Sequence, residues 1–221
     1  MGTPILFDKS PNELEREIQA YVSKDQRSLP PRAKIFSAIA KIQGFDALPE
    51  VAKPDELTAL IAKEEAKEIY RGMSPTRGIP SIFYARELIL GAMYPGTLSV
   101  LGNGMYFATA SQQIGTPEFP MLSQIAMKYA KGTQEGAGIL VRAALKKDAK
   151  VSSCDDLKQE LRENRNRAKK AGITDVGAFA AALGLDAFYA DEVYDDIDGE
   201  LVYVVLNRGK LVIQNACLMQ G

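Results

Sequence analysis

The stretch Leu101-Gly102-Asn103-Gly104-Met105-Tyr106-Phe107-Ala108 decides the reading of this chain. Two glycines around one Asn permit a tight turn and a close backbone approach, and the apolar run after them reads as a strand. Upstream, Ile69-Tyr70-Arg71-Gly72-Met73-Ser74 sets an Arg-Gly pair at the end of a short apolar strand. Downstream, Glu200 opens a strand over Leu201 to Leu206. From Arg71 to Tyr106 is 35 positions, and from Tyr106 to Glu200 is 94. Taken singly, each piece has a plain structural reading. Arg71 reads as a surface ion-pair residue, Tyr106 and Phe107 as buried strand aromatics, and Glu200 as a solvated turn acid after the acidic run from Asp191.

Composition narrows the chemistry. The 221 residues suit one substantial domain, or a core with an appendage, and 46% apolar with 25% charged residues is ordinary for a globular chain. A formal net charge of −1 gives no bulk attraction to polyanions, so a nucleic-acid target would need a local basic patch. Histidine is absent and only Cys154 and Cys217 are present, which removes His-based triads, a His general base and the usual zinc sites. Catalysis would fall to carboxylates, Tyr, Ser, Thr, Lys, Arg or the backbone. No apolar run reaches the roughly 18 residues of a membrane span. No basic-then-apolar leader opens the chain, and Leu6 stands where a myristoylation signal needs Ser or Thr. The expectation is a cytoplasmic, reduced protein that meets no membrane; its oligomeric state is left open.

The first third, residues 1–66, reads as a helical N-terminal extension. Ser10-Pro11-Asn12-Glu13 is a helix start, and apolar stripes run through Leu14, Ile18 and Val22, through Ile35, Phe36 and Ile39, and through Leu57, Leu60 and Ile61. From Lys67 strands and helices alternate irregularly. Strands are expected around 67–72, 104–110, 138–145, 186–191, 199–207 and 209–216. Helices are expected at Ser81–Leu90, Met121–Ala130, Asp155–Ala171 and Val176–Leu183. The fold class that fits is α+β, with 67–221 as the catalytic domain.

The ordered trio resembles the NAD-cleaving core of the ADP-ribosyltransferases, the superfamily of bacterial toxins, phage modifying enzymes and poly(ADP-ribose) polymerases. The resemblance covers roughly Lys67 to Gln214, and in texture it is closest to phage or bacterial effector members. It implies a split β-sheet core and a mono-ADP-ribosyltransferase that moves ADP-ribose from NAD to a macromolecular acceptor. Glu200, Arg71 and Tyr106 then stand as catalytic residues, and Arg71, Gly72, Tyr106, Phe107 and Tyr129 as the NAD site. Asp198 matches the position of an acceptor-binding acid in arginine-modifying members. The implied acceptor is a protein, with nucleic acid open, the location is the cytoplasm (a host's, for a phage protein), and no metal is implied. The trio mixes two classes, Arg-Ser-Glu and His-Tyr-Glu, and Ala126 stands where polymerases carry a carboxamide-binding Ser.

The chemistry asks for such residues. Leaving nicotinamide develops an oxocarbenium-like ribose, as in glycoside hydrolysis. A carboxylate stabilises that charge, an Arg fork restrains ribose and phosphate, and an aromatic ring stacks on the partly cationic nicotinamide. The readings of a different kind are an NAD glycohydrolase, in which water replaces the acceptor, and a catalytically idle domain serving as a binding module or virion component.

Overall fold

A computed structural model describes residues 6–25, 28–75, 101–113, 116, 118–133, 136–191, 197 and 199–220. The expected helix at Ser81–Leu90 and the candidate Asp198 lie outside the described residues. The fold is mixed α+β, built on an eight-stranded sheet. Its strands are β1 (Glu50–Ala52), β2 (Ala66–Met73), β3 (Met105–Ala108), β6 (Gly138–Lys146), β7 (Val151–Ser153), β8 (Ala187–Ala190), β9 (Val202–Val205) and β10 (Leu211–Gln220). Short β4 (Gln112–Gln113) and β5 (Met121–Leu122) pair separately. The order across the sheet is β1-β10-β6-β2-β3-β9-β8-β7. The edge pairs β1–β10 and β7–β8 are parallel, and the interior pairs are antiparallel.

One interior seam is weak. Strands β2 and β6 are paired residue by residue from Ala66↔Lys146 to Met73↔Ile139, and β3 with β9 from Met105↔Val205 to Ala108↔Val202. Between β2 and β3 the only register pair is Tyr70↔Ala108. The sheet is therefore two four-stranded halves meeting at a point.

The described helices are α1 (Pro11–Val22), α2 (Pro31–Ile42), α3 (Pro54–Ala62), α4 (Gln124–Tyr129), α5 (Cys154–Glu163), α6 (Arg165–Lys170) and α7 (Val176–Ala182). Helix α1 starts as its sequence dictates, with Ser10 and Glu13 forming a reciprocal capping box. The first third packs against the rest. Leu14, Ile18, Phe36 and Ile39 share a core with Phe179, Phe188 and Val204, and Phe7 meets Phe179 edge-to-face at 5.0 Å. Gln43 Nε2 donates to the carbonyls of Ala181 and Ala182, both at 3.1 Å, which satisfies the C-terminal end of α7. Strand β1 is a surprise in a segment that reads as helical. It is three residues long, has no apolar alternation and is held by β10 alone, so no local signal marks it. The single helix expected over Asp155–Ala171 is broken at Asn164, whose Nδ2 turns back to Glu160 O at 3.0 Å. No described helix is long and apolar enough to cross a membrane.

The β2 half encloses a buried guanidinium paired with a partly buried carboxylate. Arg142, 1% exposed, donates from Nε to Glu68 at 2.6 Å, and its fork also reaches Thr58 Oγ1 at 3.0 Å and Gln214 Oε1 at 3.1 Å. One guanidinium thus joins β6 to β2, β10 and α3. Tyr70 donates to the same Glu68 carboxylate at 2.8 Å, and burial raises its phenol well above the ordinary tyrosine range. Removing Glu68 leaves a desolvated cation with neutral acceptors only. Glu68→Ala is therefore expected to lower unfolding free energy by about 3–5 kcal/mol in urea melts. Glu68→Ala combined with Arg142→Met should cost less than Glu68→Ala alone, because no buried charge is then stranded.

Candidate functional site

Glycines set the turn that opens β3. Gly102 and Gly104 take φ of +95° and +144°, conformations that L side chains rarely adopt. What presses on them is the protein itself. A Cβ on Gly102 would lie 2.4 Å from Asp175 Oδ1, and one on Gly104 would lie 2.3 Å from Val204 Cγ1. Asp175 is the N-cap of α7, accepting from Ala178 N at 3.0 Å and from Asn103 N at 2.9 Å. Its second oxygen accepts from Asn103 Nδ2 at 2.9 Å. The turn is thereby docked on a helix start, and the Tyr106 hydroxyl closes it by donating to Gly102 O at 2.7 Å.

Side-chain alternation sorts the candidates onto two faces of the sheet. The Tyr106 ring is half-buried against the core beneath the helices. Phe107 points the other way, into a cluster with Ile69, Met105, Val141 and Val205 that draws on both halves. Arg71 joins Phe107 there, its guanidinium carbon 5.9 Å from the ring centroid. It also donates from Nη1 to Tyr106 O at 2.9 Å, a bond that spans the weak β2–β3 seam. Burial brings the Arg71 guanidinium down to about 10, with the nearby Tyr106 hydroxyl pushing the other way, so it stays a cation at neutral pH.

Gly72 has a packing reason to be Gly. A Cβ there would sit 1.7 Å from Ala126 O and 2.7 Å from Ala130 N, so α4 lies directly on β2. The close neighbour on that side is helix backbone. Tyr129, near the end of α4, is 50% exposed, and its carbonyl accepts from Ser74 Oγ at 2.7 Å.

Glu200 is the most highly coordinated group in the region. Although 6% exposed, it precedes β9 by two residues and reaches the start of α4. Its Oε1 accepts from Ser111 Oγ and Gln124 N, both at 2.7 Å. Its Oε2 accepts from Ser123 Oγ at 2.8 Å and Ile125 N at 3.0 Å. Two donors per oxygen use the acceptor capacity of an ionised carboxylate, and the two free amides are those left unpaired at any helix N-terminus. Ser123 is itself the N-cap, accepting from Ala126 N at 3.0 Å. This is why α4 begins at Gln124 rather than at Met121. Sequence reasoning missed Ser111, Ser123 and Gln124. A Ser ahead of an apolar helical run was the available signal for Ser123, and nothing local marks Ser111 or Gln124.

The candidates thus gather around one place, the β2–β3–β9 seam, each held by a different partner. Glu200 is bound to the start of α4, Gly72 lies beneath that helix, Arg71 grips β3, and Tyr106 holds the glycine turn. Among the described residues, no group of three or more His, Cys, Asp or Glu side chains could hold a metal ion. No protein-family model, curated protein or solved structure matches the chain.

Every neighbour of the Glu200 carboxylate donates. An amide in its place turns an N–H₂ against one hydroxyl, which can rotate to accept, and one backbone N–H, which cannot and is left unsatisfied. Glu200→Gln is expected to lower stability by about 1–3 kcal/mol in urea melts. Unchanged stability would mean that the carboxylate does not hold α4.

Proposed function

We propose that this chain is an NAD-dependent mono-ADP-ribosyltransferase, residues 67–221 forming an ADP-ribosyltransferase-like split-sheet domain and 1–66 its helical N-terminal extension. The observation that carries the reading is the meeting of three sequence patterns at one seam. Arg71-Gly72, the turn before Tyr106-Phe107, and Glu200 are far apart in the chain and adjacent in the sheet order. Two sheet halves joined by a single pair suit a split sheet.

In this reading Glu200 stabilises the oxocarbenium-like ribose as nicotinamide departs, and its carboxylate engages the ribose 2′-hydroxyl. All four acceptor sites are taken, so one donor must give way. Ser111 is the one suited to do so, because it is exposed and lies on the loop after β3. The buried amides of Gln124 and Ile125 keep the carboxylate aimed during the exchange. Arg71 supplies the cation for ribose and diphosphate with Phe107 behind it on one face of the sheet, Tyr106 and Tyr129 supply aromatic surface on the face that carries α4, and Asp198 a carboxylate for the acceptor. The acceptor is a macromolecule, a protein in the first instance, and the reaction takes place in the cytoplasm without a metal.

A second reading has its own observation. The bonds of Glu200 and Arg71 account for both charges as structural links across the seam. An idle domain of this shape, acting as a binding module or virion component, keeps both residues for stability alone.

The two readings separate in one assay. Incubated with NAD in the presence of EDTA, the protein is expected to release nicotinamide, and Glu200→Gln to lose about 10²–10³ in rate at a temperature where it is folded. Arg71→Lys should weaken NAD binding by calorimetry by about 1–3 kcal/mol, because an ammonium cannot reproduce the guanidinium fork. No heat of NAD binding and no nicotinamide release from the wild type would leave the idle reading standing. Activity lost in EDTA and restored by a divalent ion would overturn the transferase mechanism.

A further inference from the structure

The cations of α5 and α6 separate by face. Arg167 lies 5.0 Å over the Phe7 ring, and Lys170 reaches Asn12 and Glu15 on α1, so these two bind the helical first third. Lys158, Arg162, Arg165 and Lys169 instead surround an open cavity of about 430 Å³ at the break between the two helices. Its floor is aliphatic, made by Leu161, Ala168 and Ile173. No carboxylate among the described residues lines it.

Three acids nearby are engaged elsewhere. Asp156 accepts from Ser153 Oγ at 2.6 Å, Glu163 from Gln159 at 3.3 Å, and Asp175 holds the Asn103 turn. Among the described residues only Asp155 meets a cavity cation, Lys158, at 2.9 Å on the exposed rim. Arg162, Arg165 and Lys169 have no carboxylate partner among the described residues. Four cations converge on one hollow in a chain whose net charge is −1. Such a cluster repels itself and focuses positive potential into the concavity.

We propose that this cavity binds single-stranded nucleic acid, with phosphodiester groups on the four cations and one unstacked nucleotide against the aliphatic floor. Its volume lies within the range of small-molecule sites and admits one nucleotide. Arg162 and Arg165 bring planar forks that bridge phosphate oxygens and also stack on bases. An acidic peptide is the competing occupant. It would meet the charges but leave the aliphatic floor without a partner of matching shape. The proposal does not depend on NAD chemistry, because neither Glu200 nor Arg71 takes part.

The test is fluorescence anisotropy of a labelled RNA single strand of about 12 nucleotides, titrated with the full chain without NAD over a series of salt concentrations. The wild type is expected to bind with a steep salt dependence. Arg162→Glu with Arg165→Glu should weaken binding at least tenfold and lower the salt slope by about 1.4, two contacts at about 0.7 each. All four side chains are exposed, so folding should survive, as circular dichroism would report. Should the double Glu variant fail to fold, Lys158→Gln with Lys169→Gln gives the same reading without charge reversal. Equal binding by folded variants would overturn the proposal, as would no binding by the wild type at low salt. Displacement of the RNA by polyglutamate at equal charge concentration would assign the cavity to an acidic protein and overturn it equally.

Discussion

A single register pair, Tyr70↔Ala108, is the constraint on which this architecture turns. Sheets are normally continuous because each strand satisfies the backbone groups of the next. Here the ladder narrows to one pair between two four-stranded halves, and side chains carry the connection instead. Arg71, from one half, donates to the backbone of β3 in the other. Glu200, from the second half, binds the start of α4, and α4 lies on Gly72 of the first. The two charged residues singled out for chemistry are also the polar links across the seam. A site built there is rigid only as long as those links hold, so in the proposed reading catalysis and stability would draw on the same bonds.

Close approach explains most of the small residues at the seam. Gly72 admits the α4 backbone, Gly102 admits the Asp175 carboxylate, and Gly177 on α7 lies where a Cβ would be 1.9 Å from Asn103 O. At each of these positions a side chain would collide with its neighbour. The polar network around Arg142 plays the matching part deeper in the β2 half, where a buried cation is satisfied by a carboxylate, a hydroxyl and an amide. Both arrangements favour one packing over many, since a partly satisfied network would cost more than an apolar core.

What the sequence made legible follows from how local each signal is. Helix starts at Ser10 and at Asp175-Val176 are written in consecutive residues, and the strands at 138–146 and 202–205 in dense apolar runs. The α+β class was readable from those elements. Strand β1 was not, because three residues without alternation pair only through a partner 162 positions away. Residue identity pointed to Arg71 and Glu200, but nothing local could show that Arg71 grips the Tyr106 carbonyl or that Glu200 serves as acceptor for α4. Ser111 and Gln124 escaped notice for the same reason. Their importance lies in what folds against them.

The sheet ends in strands of three residues on both sides, β1 and β7, each paired in parallel with its inner neighbour. At about 3.3 Å per residue β1 and β7 each present roughly 10 Å of outer backbone, and β1 covers only Val212, Ile213 and Gln214 of the ten-residue β10. Beyond β1 the chain turns at Lys53-Pro54, and beyond β7 it enters α5 directly. An eight-stranded sheet with long free borders would template the same strand from another molecule, the first step toward fibrils. Edge strands of three residues shorten that template at both ends of the sheet.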